Sequence, residues 1–187
     1  MYANRINHAL LRSAIYPMAT ARRSAEKIKF RADNYGTKHN TRLSGGNVKY
    51  YEPKYFRVEE YVPPEIYAEK GDESILLMDD RILKTDDAIR EFFGVAVIIN
   101  NWHNGGDRRY SGYRPPNCTV GAYYSQHRFG RASDKIMLFI STNTIRDEII
   151  KNRKAFPYIT VMEKNVSWLH TDCRCVADTN SIQLISP

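Results

Sequence analysis

The chain has 187 residues, enough for one domain with a core of its own plus an appendage. It carries 28 Lys/Arg against 21 Asp/Glu, a formal net charge of +7, and no apolar run approaches the roughly 18 residues a membrane span needs. Its three cysteines, Cys118, Cys173 and Cys175, are odd in number and form no CxxC pair, which argues against a disulfide framework and fits a reducing compartment.

The excess charge sits at one end. Residues 1–49 hold ten Lys/Arg and two Asp/Glu, a balance of +8, and residues 50–187 hold eighteen and nineteen, a balance of −1. The sequence therefore reads as a basic N-terminal arm over 1–49, partly disordered, followed by a domain over 50–187. The first thirty residues, with Glu26 as their one acid, also match the composition of an organelle transit peptide. A solvated tail or an upstream extension of the gene explains the arm most simply. Its functional reading is adhesion to a polyanion, a cell-wall polymer or a nucleic acid.

From Tyr50 onward the composition is that of a folded domain. YFRVEEYVPPEIY reads as an extended strap, closed by Pro63-Pro64, that packs Phe56, Val58 and Tyr61 onto the domain. Ile75, Leu76, Ile82, Leu83, Ile89, Phe92 and Phe93 then recur near helical spacing, as one helix or two, with Thr85 placed to cap a later segment and Gly94 placed to end it. Val95 to Ile99 is a continuous apolar run, the mark of a buried central strand. NNWHNGGDRRYSGYR follows as a long polar loop rich in glycine and aromatics, ending at Arg114, whose plain reading is a salt bridge at the loop base. His103 in this loop has no partner at ligand spacing and reads as a loop histidine.

Ser125, Gln126 and His127 fall at a loop edge, with Gly130 next where the backbone must approach closely. Asp134 opens the run KIMLFI, read as a strand. Thr144 and Asp147 have capping-box spacing for a helix running to about Lys154, stopped by Pro157. Ile159–Met162 and Ser167–Val176 are β-prone runs around Glu163-Lys164-Asn165-Val166, a hairpin by pattern. Cys173 and Cys175 share a face of the second run and read as ordinary buried thiols. Ile182 to Ile185 can add an edge strand. The fold class is α+β, with a mixed, mainly antiparallel sheet and helices against one face.

His127 and Asp134 stand seven residues apart, and His170 follows thirty-six residues later in SWLHTDCR. Two imidazoles and a carboxylate suit a catalytic zinc site whose fourth position is left for water. On the second β run Trp168, His170 and Asp172 share a face by strand alternation. Asp172, two residues along, is placed to orient a ligand from behind. Glu163 ends the preceding run, where its longer side chain can reach across the hairpin. It reads as the general base, with Asp172 as the alternative.

These words in this order, SGYR, VG, S-x-H-x-x-G-x-A-x-D and W-x-H-x-D, resemble the zinc peptidoglycan peptidases of the D-Ala-D-Ala carboxypeptidase and L-alanyl-D-glutamate endopeptidase family. That family shares its fold with the hedgehog signalling domain. The resemblance covers roughly residues 50–187. It implies Zn2+ on His127, Asp134 and His170, with Arg114 neutralising an oxyanion or substrate carboxylate and Ser125 bonded to the substrate backbone. It also implies a D-residue-containing peptidoglycan peptide as substrate. INNW, SGYR, SQHRFGRASD and SWLHTDCR together are similar to bacteriophage members. With no signal peptide evident, this implies a lysin held in the host cytoplasm until lysis, or a virion-associated cell-wall hydrolase. The chain departs from the family at two places. Many relatives carry an acid three residues before the last zinc histidine, here Ser167, and others a histidine two residues before it, here Trp168. Relatives of the hedgehog-like branch place a glutamate one residue closer to that histidine than Glu163. The rival expectation is a non-catalytic cell-wall-binding or virion structural protein that keeps the fold. A third is nucleic-acid binding through the arm alone.

Overall fold

Residues 50–187 are described by a computed structural model. The basic arm over 1–49, and the readings attached to it, lie outside the described residues. The lead-in is not the extended strap expected from its prolines. A short 3-10 turn spans Val58–Glu60, and Pro64 opens helix α1, Pro64–Lys70. At the first helical position the missing N–H of proline has no bond to lose, so the ring starts the helix instead of closing the segment. Tyr61 and Val62 are fully buried beside Phe56. The Asp87 carboxylate pins the segment before it by accepting from Tyr51 Oη (2.8 Å) and from the backbone N–H groups of Lys54 (2.7 Å) and Tyr55 (3.1 Å).

The helical region is divided into a 3-10 stretch, Gly71–Leu77, and helix α2, Asp80–Phe93. Asp79 caps α2 by accepting from Arg81 N (3.0 Å). Thr85, expected as a cap, lies inside the helix and donates to Arg81 O. Gly94 ends α2 in the left-handed conformation at φ 64°, as its position predicts. Helix α3, Thr142–Lys151, is capped by Ser141, which accepts from Thr144 N (3.1 Å), so the box expected on Thr144 is displaced by three residues. A separate 3-10 turn, Arg153–Ala155, follows it.

Five strands, β1 Val97–Ile98, β2 Ala132–Met137, β3 Val161–Glu163, β4 Leu169–Asp172 and β5 Gln183–Ile185, form one mixed sheet in the order β1-β2-β4-β3-β5. Three pairings are antiparallel and the β3–β5 pairing is parallel. The apolar run at Val95–Ile99 is therefore an edge strand and not a central one. It is buried by packing of Val97 and Ile99, which periodicity alone does not separate from burial between two strands. Asp134, expected at the entrance of a strand, sits inside β2. The β3–β4 hairpin and the β5 edge follow the expected pattern. Cys173 is buried and Cys175, beyond the end of β4, is exposed.

The sheet has two unlike faces. Met137, Met162 and Leu169 join Ile82, Leu83, Ile89 and Phe93 of α2 and Ile145 and Ile149 of α3 in one core. Each such aliphatic side chain contributes about 1.5–3 kcal/mol by leaving water. Within this layer Lys135 is fully buried. Its Nζ donates to Ser133 Oγ (2.7 Å) and Thr171 Oγ1 (2.7 Å) and pairs with Asp86 Oδ1 of α2 at 2.9 Å. Burial pushes the Asp86 carboxyl up, against the pull of Lys135. Lys135→Met would strand a buried carboxylate, and we expect a loss of about 3–5 kcal/mol in urea unfolding. Lys135→Met combined with Asp86→Leu should recover much of that loss. No described helix is long and apolar enough to cross a membrane.

Candidate metal centre

The opposite face of the sheet carries the residues of the candidate site. Register places Asp134 of β2 directly opposite His170 of β4. On the other side of β4, Met162 pairs Thr171, so carrying that register on one residue sets Glu163 opposite His170. Glu163 in turn pairs Ile185 of β5. Cross-strand partners point to one face, so Asp134, His170, Glu163 and Ile185 form a single row across four strands. Asp172, two residues along β4 from His170, lies on that same face.

His127 arrives from outside the sheet. It belongs to a 3-10 turn, Gln126–Phe129, ended by Gly130 in the left-handed conformation at φ 64°. A Cβ on Gly130 would collide with the Leu77 carbonyl, and its own carbonyl accepts from Asp79 N (2.9 Å), so the turn is pressed against the start of α2. The SGYR segment braces the other side. Ser111 O accepts from Asp134 N (2.7 Å), Gly112 O accepts from His127 Nδ1 (2.7 Å), and Arg114 N donates to His127 O (3.1 Å). Gly112 has no room for a side chain against the Tyr61 carbonyl.

Three donors converge where these pieces meet. His127 Nε2 lies 3.3 Å from His170 Nδ1 and 3.3 Å from Asp134 Oδ2, and His170 Nδ1 lies 2.7 Å from Asp134 Oδ1. All three residues are buried and their ligand atoms fall within 4.8 Å of one another. A tetrahedral zinc with ligands at about 2.0–2.1 Å holds them about 3.3 Å apart. The outward nitrogens are also committed. A carbonyl can only accept, so His127 Nδ1 carries a proton toward Gly112, and His170 Nε2 faces Asp172 Oδ2 at 3.2 Å. Once His170 Nδ1 gives up its proton, two imidazole nitrogens and a carboxylate can turn their lone pairs to one point. The donor set fits a divalent metal.

The charges agree with this. Burial holds His127 below its ordinary value and so neutral, against the pull of Asp134. Burial opposes ionisation of Asp134, yet the two histidines beside it hold its carboxyl well below the usual range. His170 loses by burial and gains more from Asp134 and Asp172, ending at about 9.

Arg114 donates through Nη2 to Asp134 Oδ2 (2.9 Å) and through Nε to Tyr110 O (2.7 Å), with Nη1 3.4 Å from Ser125 Oγ. Glu163 Oε1 is 3.9 Å from His170 Nδ1. Arg114, Ser125 and Glu163 line, with the three donors, one cleft of about 440 Å³. Every residue singled out from the sequence for the site is therefore at this cleft or, for Asp172, directly behind His170. His103 bonds its neighbour Asn104 at 3.0 Å and takes no part in the cleft.

Sequence reasoning passed over Arg174, which lines the cleft and grips Asp172. The alternation that aligns Trp168, His170 and Asp172 extends to position 174, and that was the available signal. It also passed over Arg108, whose Nη2 donates to the Asp134 carbonyl (2.9 Å) and steadies β2 at the site. Two lining residues carry buried polar atoms, Trp168 Nε1 and Gln126 Oε1, that find no partner among the described residues. A ligand or ordered water in the cleft would complete them.

No protein-family model matches the chain, and comparisons with curated proteins and with solved structures find no match. The likeness to the zinc peptidoglycan peptidases accordingly rests on the quoted motifs.

Asp172 is fully buried and holds the outer nitrogen of His170. Burial raises its pKa while His170 and Arg174 lower it further, leaving a carboxylate. Asp172→Asn keeps the shape and removes the charge. We expect zinc affinity to fall about 10–100-fold with the fold retained, measured by competition with a chromophoric chelator.

Proposed function

We propose that the chain is a zinc-dependent peptidase that hydrolyses an amide bond of a peptidoglycan peptide, a lysin or virion-associated cell-wall hydrolase. The observation that carries this reading is the convergence of His127 Nε2, His170 Nδ1 and Asp134 Oδ2 with a second carboxylate, Glu163, in the same row and 3.9 Å from His170. A structural metal site closes all four positions, whereas three protein donors beside an open cleft suit catalysis. Zinc held there would supply Lewis acidity, lowering the pKa of water from about 15.7 toward 7.

The chain's own residues then divide the work. Among the described residues Glu163 forms no ion pair with Lys or Arg, and it accepts a proton at its carboxylate. Arg114 is anchored by Tyr110 and Asp134 and keeps a permanent positive charge at the cleft, where developing oxyanion charge is stabilised. Ser125 offers its hydroxyl from the cleft wall to a peptide backbone. The choice of a D-configured residue comes from the family likeness and from nothing in the geometry.

The test is direct. Zinc-loaded protein is incubated with peptidoglycan stem peptides and the products are weighed by mass spectrometry. Cleavage lost on chelation and restored by zinc is the expected result. Zinc retained and peptide bound without cleavage would favour the non-catalytic wall-binding protein.

A further inference from the structure

The cleft holds two guanidinium groups in different conditions. Arg114 is committed, with its side chain only 11% exposed and its Nε and Nη2 engaged inside the fold. Arg174 is 32% exposed and is held from one edge only. Its Nε lies 3.0 and 2.9 Å from the two Asp172 oxygens, and its Nη2 lies 2.5 Å from Oδ2. Nη1 has no partner among the described residues. A guanidinium carries five N–H donors in a planar fork. With the Nε side taken by Asp172, the end formed by Nη1 and Nη2 remains, a shape that fits one carboxylate through two parallel bonds.

Its surroundings point the same way. Asp172 fixes the guanidinium plane, and Asp172 is itself tied to His170, so the free end stands at a set place relative to the metal ligands. Ile185, Pro187 and Trp168 line the same cleft.

We propose that Arg174 is a specificity-determining residue that reads a free carboxylate on the peptide substrate, close to the bond that is cut. The inference rests on the peptidase reading of the same cleft and deepens it by naming the substrate feature. The carboxylate has two sources, the terminal group of a peptide trimmed at its end or an internal α-carboxylate beside a side-chain-linked amide. The recognising chemistry is the same for both.

The experiment uses the full chain loaded with zinc and two matched peptide pairs. One pair ends in a free carboxylate or its carboxamide, and the other carries an internal γ-linked glutamate or its amide. Wild-type protein should favour the carboxylate member of one pair by about 10–100-fold in kcat/KM, carried mainly by KM. The pair that responds identifies the source. Arg174→Gln should bring that ratio close to one, and Arg174→Lys should keep part of it. A purely structural role, acting through Asp172 and His170, would slow both members of a pair equally and leave the ratio intact, and that result overturns the proposal. So does a wild-type protein that does not distinguish either pair. If the wild type cleaves none of the peptides, the peptidase reading fails by itself. The same ratios are then read as binding constants by calorimetry, where a carboxylate preference lost in Arg174→Gln upholds the role of Arg174 and an unchanged preference removes it.

Discussion

Alanine at His127, Asp134 or His170 is expected to abolish tight zinc retention, from about one zinc per chain to a trace after dialysis, measured by elemental analysis. Each variant removes one of three donors that meet within 4.8 Å, and two remaining protein ligands do not hold zinc against a buffer chelator. The proposed hydrolysis should vanish with the metal. Asp134→Ala carries a second penalty, because Arg114 Nη2 and the His170 imidazole both lose their carboxylate. Asp134→Asn, which keeps the shape, separates these effects. Full zinc in all three alanine variants would remove the metal centre from the account.

The same set predicts a pH dependence. His170 of the metal-free protein is held protonated up to about 9, so zinc must displace a proton over the whole neutral range. Zinc affinity should therefore rise with pH toward about 9, with proton release seen in calorimetry. In the metal-free protein the sign for stability is the reverse. A folded pKa raised above the ordinary 6.5 gives stability that is fully present below 6.5 and lost as pH rises through about 9.

The second large effect belongs to Glu163. Glu163→Gln preserves side-chain length and the row across the sheet while removing the proton acceptor. We expect zinc content and unfolding midpoint to stay at wild-type values and the rate on a peptidoglycan peptide to fall about 10²–10⁴-fold. Asp172→Asn gives the complementary pattern, weaker metal with less effect on the rate of the loaded enzyme. A fully active Gln variant beside a dead, zinc-loaded Asn variant would exchange the two roles. The register favours Glu163, which stands across the hairpin from His170 on the open side of the row. Asp172 is fully buried and already bonded to His170 and Arg174.

The spacing of His127, Asp134 and His170 and the strand alternation around His170 were legible in the sequence because they are local. A period of two needs only neighbours along the chain, and it placed His170 and Asp172 on one face before any contact was known. The β3–β4 hairpin, the helical period of α2 and the stop at Gly94 were legible for the same reason. Helix starts were not. Several Ser, Thr and Asp residues compete for each cap, and packing chose Asp79 over Thr85 and Ser141 over Thr144. Pro64 likewise could end one segment or begin another, and burial of Tyr61 and Val62 decided for a beginning. Apolar Val95–Ile99 looked central because burial between sheet and helix writes the same residues as burial between strands. Long-range register was beyond the sequence altogether. Only the pairing of β2 with β4 and of β4 with β3 set Asp134, His170 and Glu163 in one row. Only the seating of Gly130 under Leu77 brought His127 to them. Arg174 shows the limit most plainly. Alternation could put it on the site face, but whether its guanidinium is tied inside or stands open at the cleft depends on its bonds to Asp172 and on what else lines the cleft, which no local pattern reports.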